Sequence, residues 1–147
     1  KVRVVTTSFI GVYTFDKDPV LTEESSDYEW FKIPRKYIQR SIPELAFDHN
    51  EILNDALREL RKKIRHEPIG FELLPQKFAL AQLQSLYEAL LDESYDKANF
   101  RKRFLSMGIL DALDEYQKNV SHRPGKLYAF NKERYRQLIS KGFSFEL

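Results

Sequence analysis

A helix, a basic helix and a basic hairpin follow one another between Pro75 and Phe130, and that order constrains the fold more than any other feature of the sequence. Leu80, Leu83, Leu86, Tyr87, Leu90 and Leu91 make one apolar stripe, so residues 80–91 should form an amphipathic helix. Asp96 stands where an N-cap belongs, and Phe100, Phe104 and Met107 share one face of a second helix that Gly108 stops. Residues 109–113 and 126–130 should pair as the two strands of a hairpin. This layout implies a winged helix-turn-helix, whose second helix enters a DNA groove while the hairpin lies beside it.

Charge supports the layout through its arrangement. The net charge of +2 says little, because 24 basic and 22 acidic residues nearly cancel. Lys97, Arg101, Lys102 and Arg103 crowd the second helix. Between Gln117 and Phe130 come Lys118, His122, Arg123 and Lys126 with no Asp or Glu. Acids gather instead at Glu88, Asp92, Glu93 and Asp96, and at Asp111, Asp114 and Glu115. Such local separation of sign makes an electrostatic footprint for phosphate.

With Phe100 and Phe104 inward, a helical wheel turns Ala98, Asn99, Lys102 and Ser106 outward and sets Arg101 and Arg103 on the flanks. Asn matches adenine bidentately, and Arg matches guanine or a phosphate fork. Asn99, Arg101 and Lys102 are therefore the expected major-groove contacts, with Lys97 beside them. Arg103 is expected to support phosphate or the domain's own acids. Ser121, His122, Arg123 and Lys126 should grip the backbone or minor groove from the hairpin tip. Taken alone, the basic helix reads equally as a surface helix charged for solubility. The basic hairpin next to it favours DNA.

The N-terminal half is patterned differently. Residues 2–15 read as a long strand with Gly11 as a possible bulge, residues 16–19 as a turn, and residues 28–33 as a second strand broken by Pro34. Asp48 with Glu51 resembles a capping box, and Ile52, Leu53, Ala56, Leu57, Leu60 and Ile64 follow at helical spacing, predicting a helix over 49–65. Its basic end, Arg61, Lys62, Lys63 and Arg65, suits the negative end of the helix dipole and reads as a solvated terminus. His66-Glu-Pro-Ile-Gly70 is the best domain boundary. Phe71–Leu74 reads as a short strand, Asn131 as the cap of a last helix carrying Tyr135, Leu138 and Ile139, and the alternating residues 142–147 as a closing strand.

Composition narrows the class. Hydrophobic residues at 42% and aromatics at 14% are enough to build cores, which argues against disorder. No apolar run approaches the roughly 18–20 residues that cross a bilayer, and no signal peptide opens the chain. Without cysteine there is no disulfide framework and no thiolate site. A soluble cytoplasmic protein is expected. Enzyme motifs fare poorly: there is no Gly-rich phosphate loop and no Gly-x-Ser-x-Gly elbow. The three histidines lie far apart, and Asp48, His49 and Glu51 are better explained by helix capping than by metal. No catalytic residue, metal or cofactor is expected.

Several segments together resemble a known family. Pro43-Glu-Leu-Ala-Phe-Asp-His49 with Ile52-Leu53, Pro68-Ile-Gly-Phe71, Leu83-Gln-x-Leu-Tyr-Glu88, Asn99-Phe-Arg101 and Arg123-Pro-x-Lys-Leu-Tyr128 are similar to the Nudix-related transcriptional regulators. That resemblance implies a Nudix-like effector domain joined to a C-terminal winged helix. It also implies a small-molecule effector such as a sugar or an ADP-ribose-like nucleotide. The chain departs from the family in lacking the Nudix box. The nearest echo, Arg58-Glu-Leu-Arg-Lys-Lys63, places Lys62 and Lys63 where metal-binding glutamates would stand. Ala79 replaces a usual capping Thr, at an expected cost of about 1 kcal/mol. Gly125, often Ala in relatives, is expected to loosen the hairpin tip.

The resulting expectation is an α+β chain. Residues 1–66 would be the C-terminal part of a Nudix-like sandwich, and residues 67–147 a winged helix-turn-helix. It would act as a homodimeric, effector-controlled regulator, most simply a repressor, bound to double-stranded operator DNA. Two alternatives stay open: a Nudix pyrophosphohydrolase with an accessory winged helix, which would need clustered carboxylates for magnesium, and a winged helix used for protein docking.

Overall fold

The computed structural model describes residues 44–147 apart from His122, together with Thr7, Phe9 and Gly11. The strands expected in 2–15 and 28–33 therefore lie outside the described residues, these three positions aside. The chain divides into two compact units, Lys1–Glu59 and Leu60–Leu147. Helix α1, His49–His66, starts in the first and ends in the second. In the first unit the Asn50 carboxamide accepts from the Leu45 amide at 2.7 Å, and Asn54 donates to the Asn50 carbonyl at 2.9 Å. These bonds hold the chain as it enters α1.

The buried core of the described residues lies in the second unit. Its elements are a 3-10 turn at Pro68–Leu73, β1 (Phe78–Ala79), α2 (Leu80–Leu91), α3 (Lys97–Ser106), β2 (Leu110–Tyr116), β3 (Lys126–Phe130) and α4 (Lys132–Ser140). The three strands form one antiparallel sheet in the order β1-β3-β2. Phe78 pairs with Tyr128, and Leu110, Asp111 and Ala112 pair with Phe130, Ala129 and Tyr128. The register slips between Ala112 and Tyr116, so the far end of the hairpin is bulged. The hairpin strands appear where the sequence put them, with β2 reaching three residues further.

Leu83 and Tyr87 from α2, Phe100 and Phe104 from α3, Ile109 and Phe78 are almost wholly buried, joined by Ile64 from the last turns of α1 and by Phe145. Aromatic edges do much of the packing. Phe100 and Phe104 lie 4.6 Å apart, and Tyr87 meets Phe104 edge-on at 5.4 Å.

Two expected strands are not strands. Residues 71–74 belong largely to the 3-10 turn, because Pro68 starts it and Gly70 lies against the Tyr87 ring. Phe71 is buried all the same, stacked on Phe130 with centroids 4.3 Å apart. Residues 142–147 form no ladder. Gly142, at φ +88°, turns the chain out of α4, and Phe145 then plugs the core. The alternation was real as an inward-outward pattern, but the Leu147 amide donates to the Arg65 carbonyl at 3.1 Å and not to a strand.

Candidate nucleic-acid interface

The start of α2 is capped from one side only. Ala79 has no side-chain acceptor, but the Gln82 Oε1 accepts from the Ala79 amide at 2.8 Å, so half of a capping box survives. At its other end Asp92 takes a left-handed conformation, φ 57°, and ends the helix. The turn to α3 is then fixed by side chains of α2. Gln84 donates to the Tyr95 carbonyl at 2.8 Å, and Glu88 Oε1 accepts from the Tyr95 amide at 3.0 Å. Asp96 caps α3 as expected, accepting from the Asn99 amide at 2.9 Å.

Lys97, Ala98, Asn99, Lys102 and Ser106 are exposed on α3. The two flanking arginines are also exposed, and each is directed by a partner. Arg101 donates to the Tyr128 hydroxyl at 3.3 Å, tying the helix to β3 of the hairpin. Arg103 Nε donates to the Glu146 carbonyl at 3.0 Å, on the opposite flank. Arg103 thus supports the domain's own backbone where an acid or a phosphate was expected.

At the hairpin, Ser121 and Arg123 are exposed and Lys126 is half-buried at the start of β3. His122 lies outside the described residues. Gly125, expected to loosen the tip, is held there by two hydrogen bonds. Its amide donates to Gln117 Oε1 at 3.2 Å and its carbonyl accepts from the Gln117 amide at 2.9 Å, which closes the loop at the hairpin's tip. A Cβ there would stand 2.9 Å from Gln117 Oε1 and 3.2 Å from the Ala79 methyl, so the missing side chain makes room for both.

Three of the acids near this surface are engaged by cations. Asp111 pairs with Arg134 at 2.9 Å, Glu115 with Lys77 at 2.7 Å, and Glu93 with Arg65. The Arg65 bond holds the Glu93 carboxyl below its ordinary range, with the Tyr95 hydroxyl adding to the effect. Burial, and then the bond to Glu93, pushes the Tyr95 phenol up to about 12. Among the described residues no three His, Cys, Asp or Glu side chains cluster as metal ligands would, and no helix is long and apolar enough to cross a membrane.

Sequence reasoning missed Tyr128, Gln84, Lys77 and the Glu146 carbonyl. Tyr128 carried a signal, since a tyrosine buried in a short strand generally finds a polar partner for its hydroxyl. The others act through backbone or across long sequence separations that no local pattern reveals.

Helix, basic helix and hairpin are thus fastened into one body, and residues 70–130 match the family model described as "NrtR DNA-binding winged helix domain". This segment is similar to the NrtR-type winged helices. The "ADPR responsive transcriptional repressor NtrR" of Acinetobacter baylyi is 30% identical over 131 residues, which cover 89% of this chain and 50% of that protein. The chain therefore spans half the length of this NrtR relative. The crystal structure of Shewanella oneidensis NrtR complexed with a 27mer DNA is similar in fold, with a TM-score of 0.54 and 24% identity over 69% of this chain and 43% of that one. The winged-helix half of the expected architecture is established by these likenesses.

Proposed function

We propose that the chain is the DNA-binding part of an effector-controlled transcriptional repressor. The observation that carries this reading is the NrtR-type winged helix of residues 70–130. The exposed outer face of α3 and the bond from Arg101 to the hairpin strand agree with it. Asn99 and Lys102, with Lys97 and Arg101 beside them, are the groove-reading side chains. Ser121, His122, Arg123 and Lys126 hold the phosphate backbone or minor groove. Arg103 orients α3 through the C-terminal segment.

Residues 1–66 are the end of a Nudix-like domain, and 67–147 the DNA-binding domain. The role assigned to the effector domain is sensing, in line with the repressor named among the relatives; within these residues the nearest echo of the Nudix box, downstream of where the box belongs, has Lys62 and Lys63 in place of carboxylates. An ADP-ribose-like nucleotide is the effector class, in line with the name of the Acinetobacter relative. The working form is a homodimer in the cytoplasm that spans two half-sites, because two-fold symmetry multiplies affinity on a palindromic operator.

The test uses a duplex selected by this chain from a random-sequence library, titrated by gel shift at two salt concentrations. Asn99→Ala should cost about 1–3 kcal/mol on the selected duplex and little on random DNA. Arg123→Ala and Lys126→Ala should weaken both alike and flatten the salt slope by roughly one unit each. ADP-ribose added to the complex should lower its occupancy. Unchanged binding by the Asn99 and Arg123 variants would move the recognition surface elsewhere, and failure to select any duplex would leave protein docking as the role of the fold.

A further inference from the structure

On α3, Phe100 and Phe104 point into the core, which sets Lys102 opposite them at the crest of the helix. Arg101 marks the hairpin-side flank through Tyr128, and Arg103 marks the other flank through Glu146. Leu105 falls between Lys102 and the Arg101 flank, on the side of the crest that faces the hairpin. It keeps 39% of its surface exposed. The neighbouring outward positions carry Ala98, Asn99, Lys102 and Ser106, so Leu105 is the one large aliphatic group on a surface otherwise polar or small.

An aliphatic side chain offers no hydrogen bond and no charge to DNA. The major groove presents a single apolar feature to such a group, the C5-methyl of thymine. We infer that Leu105 is a specificity-determining residue that packs on a thymine methyl in the groove entered by α3. The inference rests on the DNA-binding reading above and adds to it a residue that fixes a T·A pair without a hydrogen bond. Burying one methyl against Leu105 in place of water contributes about 0.8 kcal/mol, which at 1.4 kcal/mol per tenfold is about a fourfold change in Kd.

The experiment uses the library-selected duplex with its thymines replaced one at a time by deoxyuridine, which removes the methyl and keeps every hydrogen-bonding group. The parent chain should lose about fourfold at one thymine of each half-site. Leu105→Ala should bind the thymine duplex about fourfold more weakly, lose less than twofold on the same deoxyuridine substitution, and melt at the parent's temperature. Equal deoxyuridine penalties for parent and variant overturn the inference while leaving DNA binding intact. So does a change in sedimentation of Leu105→Ala without DNA, since that makes Leu105 a contact between copies of the chain. If Asn99→Ala and Arg123→Ala also bind as the parent does, the DNA-binding reading fails first and takes this inference with it.

Discussion

Gly70 lies against the ring of Tyr87 so closely that a Cβ at position 70 would stand 2.9 Å from Cε2 and 3.1 Å from Cζ. The ring is fully buried between α2, α3 and the 3-10 turn and has no freedom to retreat. Gly70→Ala should therefore destabilise the winged helix by about 1–3 kcal/mol, the usual cost of overpacking. Urea unfolding followed by tryptophan-independent far-UV signal measures it. An alanine variant as stable as the parent would show that the turn can shift away from the ring.

The same ring carries a buried hydroxyl without a hydrogen-bond partner, and burial pushes its pKa well up. Leaving such a group unpaired costs about 1–3 kcal/mol. Tyr87→Phe should raise the melting temperature of the chain, or at worst leave it unchanged. A clear drop would mean that the hydroxyl finds a partner in solution.

At the start of α2, only the Gln82 half of a capping box is in place. Ala79→Ser supplies the missing acceptor for the amide three residues on and should stabilise the chain by about 1 kcal/mol. Serine is the choice over threonine because Ala79 is buried beside Gly125 and an extra methyl has little room. Combining Ala79→Ser with Gln82→Ala should leave only the serine's share, as a double-mutant cycle on denaturant midpoints can determine.

The Arg65, Glu93 and Tyr95 group predicts two pH windows. Glu93 is lowered in the folded chain, so its contribution is present above the ordinary carboxylate range and fades as pH falls through its lowered value. Tyr95 is raised to about 12, so its contribution is complete below about pH 10 and is lost as pH rises from there towards 12. Glu93→Gln should flatten the acid limb and Tyr95→Phe the alkaline one, in stability measured against pH. Both effects are small, since the pair is partly exposed to solvent.

The parts of the fold legible in the sequence are those written at short range. Leu80 to Leu91 repeat at helical spacing, Asp96 precedes α3 as a cap, and Asn131 precedes α4 as another, accepting from the Arg134 amide at 2.7 Å. The errors share a physical origin. The apolar run at Phe71 and the alternation of Phe143 and Phe145 report burial truthfully, but burial alone does not say which backbone partner a segment finds. That choice was made by Tyr87 against Gly70 and by the Arg65 carbonyl, both remote in sequence. The outward set on α3 was legible because a wheel needs only the two buried phenylalanines. The anchoring of Arg101 and Arg103 was not, since Tyr128 and Glu146 lie 27 and 43 residues away.

One peptide group, between residues 146 and 147, fastens two different helices. The Glu146 carbonyl receives Arg103 of α3, and the Leu147 amide reaches back to the last turns of α1. A protease that trims only these residues would leave every side chain of the groove-facing surface in place, yet it would cut the mooring of α3 on its non-hairpin side together with the tie to α1. An affinity tag that pulls on this segment invites the same fault, so handles for purification and immobilisation belong at the opposite end of the chain.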